Sequence, residues 1–312
     1  MRLWLLSSFL ALVALALWVV PIDAQPGTLK QIVPGVWFRE GEIKEMGHCN
    51  NVIIEMKDYV IVVDANFPSG ARLTLADAKR VSAKPVKYVF LTHHHGDHAY
   101  GLAFWTKAGA TSIAHQGVVE ELKSVEPKRW QQAARQRKDI AELNLPSAEL
   151  PQQTFGSKPY VLDDGKRRVE LRFFGWAHTR GDAVAYLPRE KVLCTGDVVV
   201  NGAFNFLGDA HIGNWVKVIR AAQKLDTVHV LPGHGGPGGK ELMEGQARFF
   251  QELYQAVQAA IQQGKKLEEV ATTIKLSEAT QNWVGSGVAN QVRMTWEEIT
   301  QKKPYGEIAR GE

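Results

Sequence analysis

Val86-Lys87-Tyr88-Val89-Phe90-Leu91-Thr92-His93-His94-His95-Gly96-Asp97-His98 joins two unlike pieces of chemistry. The first half is β-branched, aromatic and apolar, the composition of a buried strand. The second half sets His93, His95, Asp97 and His98 in the pattern H-x-H-x-D-H, immediately after that strand. A strand end is a rigid base from which a loop aims side chains. Imidazole nitrogen and carboxylate oxygen at this density suit zinc, and less exclusively iron or manganese. The rival reading is a solvated histidine-rich loop.

Three further candidates lie downstream, and each follows an apolar run. They are His178 in Ala177-His178-Thr179-Arg180-Gly181-Asp182, Asp197 in Thr195-Gly196-Asp197, and His234 in Pro232-Gly233-His234-Gly235. Singly each is weak, because Gly-Asp after a strand is ordinary turn chemistry. Together the seven residues suffice for two metals that share one carboxylate. Asp64 closes another apolar run, Val60-Ile61-Val62-Val63. His94 has no role in this pattern and reads as a spacer.

Outward from these motifs, short apolar runs alternate with turn signals. Strands are predicted at 36–38, 51–56, 59–64, 86–91, 112–114, 169–174, 183–186, 192–195 and 228–231. Helices are predicted at 73–82, 101–108, 215–225 and 240–263, the last closed by Gly264. Residues 117–145 read as polar and helical, 146–159 as loop, and 267–299 as two shorter helices. Strands come in two groups, each followed by helices, which favours two packed sheets with helices on their outer faces.

The ordered series H-x-H-x-D-H, His, Asp, His resembles the metallo-β-lactamase superfamily over roughly residues 35–240. The resemblance implies an α+β fold, an αββα four-layer sandwich, here with C-terminal helices, and a site at one edge between the sheets. It implies that His93, His95 and His178 hold one metal, that Asp97, His98 and His234 hold a second, and that Asp197 bridges them. Asp64 matches a family acid that orients the ligand loop from behind. The implied cofactor is zinc, two ions per chain. The implied activity is hydrolysis of an acyl bond (β-lactam, lactone, ester or thioester) by a metal-held hydroxide, with Asp97 as the catalytic residue that orients it and moves its proton. No G-x-S-x-G nucleophile motif is present.

Departures narrow the branch. Position 95 is His rather than the Glu of the flavo-diiron oxygen reductases. The ligand set is similar to that of glyoxalase II. The secreted class B β-lactamases fit an exported chain, but the lysine that often holds their substrate carboxylate is replaced by Val200. Arg180, Asn201 and Asn205 are the candidates to stand in. Phe204 and Phe206 suit an amphiphilic acyl substrate, or else pack as core aromatics. The alternatives are a non-catalytic exported metal-binding or accessory protein and a sulfur- or quinone-related enzyme on the same fold. The mixed oxygen and nitrogen ligand set argues against storage, which favours closed or thiol-rich sites.

Composition bounds the rest. The 312 residues are 45% apolar and 22% charged, enough for a packed core. A net charge of +4 with no run of like charge offers no footprint for nucleic acid. The expected partner is a small-molecule substrate, and nothing in the sequence specifies an oligomer. Cys49 and Cys194 permit one disulfide, although two unpaired thiols are the favoured reading. Residues 25–264 form the expected catalytic domain, with a helical insertion at about 117–159 that either caps the site or decorates the surface. Residues 265–312 form a helical extension.

Residues 1–24 have the order of a signal peptide: Arg2, the uncharged run Leu3–Val20, then Ala24 before the cut. That order predicts a periplasmic or secreted protein, with membrane contact only if the segment stays attached as an anchor. N-terminal sequencing of the exported protein is expected to begin at or near Gln25. An intact Met1 would instead identify an anchor.

Overall fold

Runs such as Val60–Val63 and Val192–Gly196 are buried at every position, which suits strands of a sheet covered on both faces. The protein is described here by a computed structural model covering residues 27–285 and 287–312. The expected leader, residues 1–24, lies outside the described residues. The first sheet has seven strands in sequential order: β1 (Leu29–Val33), β2 (Val36–Arg39), β3 (Asn51–Glu55), β4 (Val60–Val63), β5 (Val86–Leu91), β6 (Thr111–His115) and β7 (Gln153–Phe155). The second has five: β8 (Tyr160–Asp163), β9 (Arg168–Phe173), β10 (Ala183–Leu187), β11 (Val192–Gly196) and β12 (His229–Pro232), in the order β12-β11-β10-β9-β8.

Strand alternation assigns neighbouring residues to opposite layers. Ile54, Ile61 and Phe90 face the second sheet and meet Leu171, Ala185, Cys194 and Leu231 in one buried cluster. Their neighbours Ile53, Val62 and Val89 face outward onto a cluster with Trp105 and Trp130. Helices α1 (Pro68–Val81), α2 (Gly96–Ala99), α3 (Leu102–Lys107), α4 (Gln116–Ser124), α5 (Glu126–Gln136) and α6 (Lys138–Ala141) follow the strands of this first half. On the far side, Val184, Leu193 and Val230 pack with Trp215, Phe249 and Phe250. Those aromatics come from α7 (Ile212–Ala222) and α8 (Lys240–Gln262). The layers are therefore αββα, as expected.

Cys49 and Cys194 are free and buried. Burial pushes the Cys49 thiol up to about 12, so it is an inert thiol rather than a nucleophile. The segment 146–159, read as loop, contains β7, and β1 and β8 were also unexpected from the sequence. Each is short and lies at or near a sheet edge, where few apolar positions signal it.

Two parallel pairings position the site. β4 pairs parallel with β5, and β11 pairs parallel with β12. Their C-terminal ends carry Asp64, the histidine loop, Asp197 and His234. The sheets are tied across this edge: Asn50 N donates to Gly233 O at 2.9 Å, and Ala183 N donates to Thr92 O at 2.9 Å.

The C-terminal region continues through α9 (Leu267–Thr273), a 3-10 turn (Glu278–Trp283), α10 (Val288–Gln301) and α11 (Tyr305–Arg310), the last unexpected from the sequence. Among the described residues, no helix is long and apolar enough to cross a membrane. Buried Glu298 on α10 clamps this region to the core. Its carboxylate accepts from Ile212 N at 2.9 Å, Gly213 N at 2.6 Å and Tyr305 N at 2.8 Å. Two of these donors open α7, where a carboxylate also suits the helix dipole. Glu298→Ala leaves buried amides unpaired and is expected to cost about 3 kcal/mol in urea unfolding. An unfolding midpoint equal to that of the parent would remove Glu298 as the clamp.

Candidate metal centre

The chain turns sharply after β4, with Asp64 and Asn66 both in the left-handed region at φ 66° and 58°. Such strain in non-glycine residues persists only where surrounding contacts enforce it. The buried Asp64 carboxylate supplies them. It accepts from Thr92 N at 2.8 Å and Thr92 Oγ1 at 2.9 Å, and its other oxygen accepts from His98 Nδ1 at 2.9 Å. With the Thr92 hydroxyl proton directed at Asp64, His93 Nδ1 donates to Thr92 Oγ1 at 3.1 Å. Both imidazoles then carry their lone pair on Nε2.

His95 is turned the other way. Its Nε2 donates to Asp209 Oδ2 at 2.8 Å, leaving the Nδ1 lone pair facing His178 Nε2 at 2.9 Å. The turn that presents His178 is held by Asp182, whose carboxylate accepts from Thr179 N at 3.0 Å and Thr179 Oγ1 at 2.7 Å. The ligand atoms of His93, His95 and His178 lie within 4.8 Å of one another, and so do those of Asp97, His98 and His234. His234 Nε2 lies 3.1 Å from Asp97 Oδ2, and His98 Nε2 lies 3.4 Å from the same oxygen.

Asp197 stands between the two groups. Its oxygens lie 3.6 Å from His178 Nε2, 3.4 Å from His234 Nε2 and 3.3 Å from His98 Nε2. It enters after Gly196, which takes φ 51°. Gly233 packs beside it so closely that a Cβ there would sit 1.9 Å from Asp197 Oδ1. The glycines flanking these motifs are thus space for the carboxylate.

These residues fit a pair of zinc ions. Buried His93 Nε2 and Asp197 Oδ1 have no hydrogen-bond partner among the described residues. Ligands of one tetrahedral zinc are separated by about 3.4 Å, which matches the spacings above. Charge makes the same point. Burial disfavours a cation at His234, yet Asp197 and Asp97 raise its pKa to about 9. At His178, burial and the neighbouring His95 lower it to about 3. Two carboxylates, Asp197 buried and Asp97 half-buried, therefore demand positive charge, which protons on His98 and His234 or a pair of divalent cations can supply.

The centre lies at the base of a cavity of about 430 Å³, with Asp97, Asp197, His95 and His234 in its lining. Phe67, Tyr100, Phe204 and Phe206 form apolar walls, and Phe204 and Phe206 are exposed rather than packed as core. The helical insertion contributes Glu126, Arg129 and Ala133, so it walls the cavity.

The three suggested substrate contacts are not in that lining. Arg180 pairs with Glu312 at 2.9 Å and stacks over Trp176, Asn201 bonds Gly236 O and Asn282, and Asn205 accepts from Gln246 in the interior. His94, read as a spacer, points away from the His93, His95 and His178 triad, and neither of its ring nitrogens has a hydrogen-bond partner among the described residues. It is fully buried, with Nε2 at 3.5 Å from Glu126 and 3.7 Å from Asp209. Asp209 and Arg129 escaped the sequence reading because their partners are 80 and 114 residues away and no local motif marks them.

A family model described as the metallo-beta-lactamase superfamily matches residues 45–234. A metallo-beta-lactamase type 2 from Bacteroides fragilis is 27% identical over 157 residues, which cover 49% of this chain and 54% of that protein. The chain thus spans about half the length of that relative. Among solved structures, a metallo-beta-lactamase from Pontibacter korlensis aligns with a TM-score of 0.58 and 22% identity, covering 72% of this chain and 98% of the other. A stereoselective inverting sec-alkylsulfatase from Pseudomonas sp. aligns with a TM-score of 0.69 and 19% identity, covering 87% and 50%. With the two sheets, the ordered ligand series and the family match over residues 45–234 in agreement, the chain belongs to the metallo-β-lactamase superfamily.

Proposed function

We propose that the protein is a two-zinc hydrolase that cleaves an acyl bond outside the cytoplasm. The observation that carries this reading is the meeting of two ligand triads at Asp197, at the base of a cavity open to solvent. A storage protein has no use for an apolar-walled opening onto its ligands, which favours the enzyme over the binding protein.

His93, His95 and His178 would hold one ion, and Asp97, His98 and His234 the other, with Asp197 shared. Bound zinc supplies a hydroxide at neutral pH and polarises the bond to be cleaved. The chain's own residues do the rest. Asp97 keeps 21% of its side chain exposed and faces the cavity, so its carboxylate can accept a proton from water and hold the nucleophile's orientation. Asp64, through Thr92 and His98, keeps the histidine loop in register. Phe67, Phe204 and Phe206 offer apolar walls to the substrate's body.

The test is zinc stoichiometry by mass spectrometry on purified protein, with a hydrolysis screen on a β-lactam, a lactone, a thioester and a phosphodiester. A sec-alkyl sulfate joins the screen because the neighbour covering 87% of this chain is named for that reaction. Two zinc ions and turnover of one of the acyl substrates, with activity lost to chelator, is the expected result, whereas turnover of the phosphodiester or the sulfate alone would overturn the acyl reading. Full zinc with every substrate untouched would favour the binding protein. Asp197→Ala is expected to lose at least one zinc ion and reduce turnover by about 100-fold or more. Full zinc and normal turnover in that variant would defeat the shared-ligand assignment.

A further inference from the structure

Arg129 is the sole lysine or arginine in the cavity lining among the described residues. It belongs to α5 of the insertion and keeps 38% of its side chain exposed, whereas its two partners, Glu126 and Asp209, are buried. Nη1 and Nη2 grip Asp209 end-on at 2.7 and 3.0 Å, and Nη1 also donates to Glu126 at 3.0 Å. A guanidinium has five N–H donors. These contacts occupy both Nη1 protons and one on Nη2. What is left is the Nε–H and the second Nη2 proton, which by the planar geometry of the group point the same way. They form a two-pronged edge of the kind that matches a carboxylate.

The surroundings hold this edge ready. Buried Glu126 and Asp209 both accept from Arg129, while Glu121 beside them is paired with Arg180 and Arg310, which also reach Glu307 and Glu312. The guanidinium is thereby fixed before a ligand arrives, and little ordering cost remains for binding. Asp209 also holds His95, so Arg129 stands two hydrogen bonds and one imidazole ring from the metal-facing Nδ1. A small molecule can then span from the metal ligands to Arg129 along the apolar walls.

We propose that Arg129 binds a carboxylate of the substrate through its free Nε/Nη2 edge, so that the substrate is an acyl compound with an apolar body and a carboxylate at the far end from the metals. This rests on the two-zinc reading.

The probes are a short series of ω-mercaptoalkanoates and their methyl esters, with binding to the zinc-loaded protein followed by calorimetry. The thiol anchors at zinc in both members of each pair, and only the acid presents a carboxylate. At the best chain length the acid is expected to bind about ten-fold or more tighter than the ester, the scale of a charge-assisted pair. That preference is expected to shrink to within about two-fold in Arg129→Ala and to return in part in Arg129→Lys. Zinc content, measured on each variant, identifies any loss that comes through Asp209 and His95 instead. Equal binding of acid and ester to the parent would overturn the inference while leaving the metal centre standing. So would an undiminished acid preference in a zinc-replete Arg129→Ala variant. A parent that holds no zinc, or that binds neither thiol, would overturn the two-zinc reading and this inference together.

Discussion

The buried Asp64 carboxylate is the contact on which the site depends. It accepts from Thr92 N, Thr92 Oγ1 and His98 Nδ1, and so joins the end of β4 to the start of the histidine loop. Through Thr92 it sets the tautomer of His93, and directly it sets that of His98. Without that alignment the two lone pairs would not face the same space. The left-handed backbone at Asp64 is tolerated because these three contacts reward it.

The second half of the centre is governed by crowding. Asp197 is buried at a density that leaves no room for a methyl group at Gly233, and it is surrounded by three histidines. Like-charged carboxylates at Asp97 and Asp197 and inward-facing imidazole lone pairs are stable together only around positive charge. The same geometry that makes the centre costly without positive charge makes it a fitting place for a cation.

Around this centre, the parts of the chain that a generic sandwich does not need all converge on one loop. The insertion reaches it through Arg129 and Asp209, and α11 reaches it through Gly306 N, which donates to Ala210 O at 2.8 Å. Trp176 Nε1 donates to Asp209 O at 2.8 Å, and Glu298 secures the residues just beyond. The C-terminal extension is therefore a support for the loop that holds His95, and the insertion is a wall of the cavity rather than a surface decoration.

Much of this was legible in the sequence by itself. Continuous apolar runs such as Val60–Val63 announced strands covered on both faces, and the αββα layering followed from their grouping with helices. The candidate ligands were legible because they are dense, as in His93–His98, or sit beside glycine at strand ends, as Asp197 and His234 do. Short-range chemistry of that kind is written locally. The substrate side was not. Arg180, Asn201 and Asn205 lie close to the ligands in sequence, but the fold commits them to Glu312, Gly236 and Gln246. Arg129 and Asp209 acquire their places only when segments 80 and 114 residues apart are brought together. Which polar groups meet in a buried space depends on how helices and loops pack across the sheets, and no local pattern encodes that. The sequence determined the layers and the ordered His/Asp series that converges at one sheet edge. Only the tertiary structure decided what else lines the cavity above them.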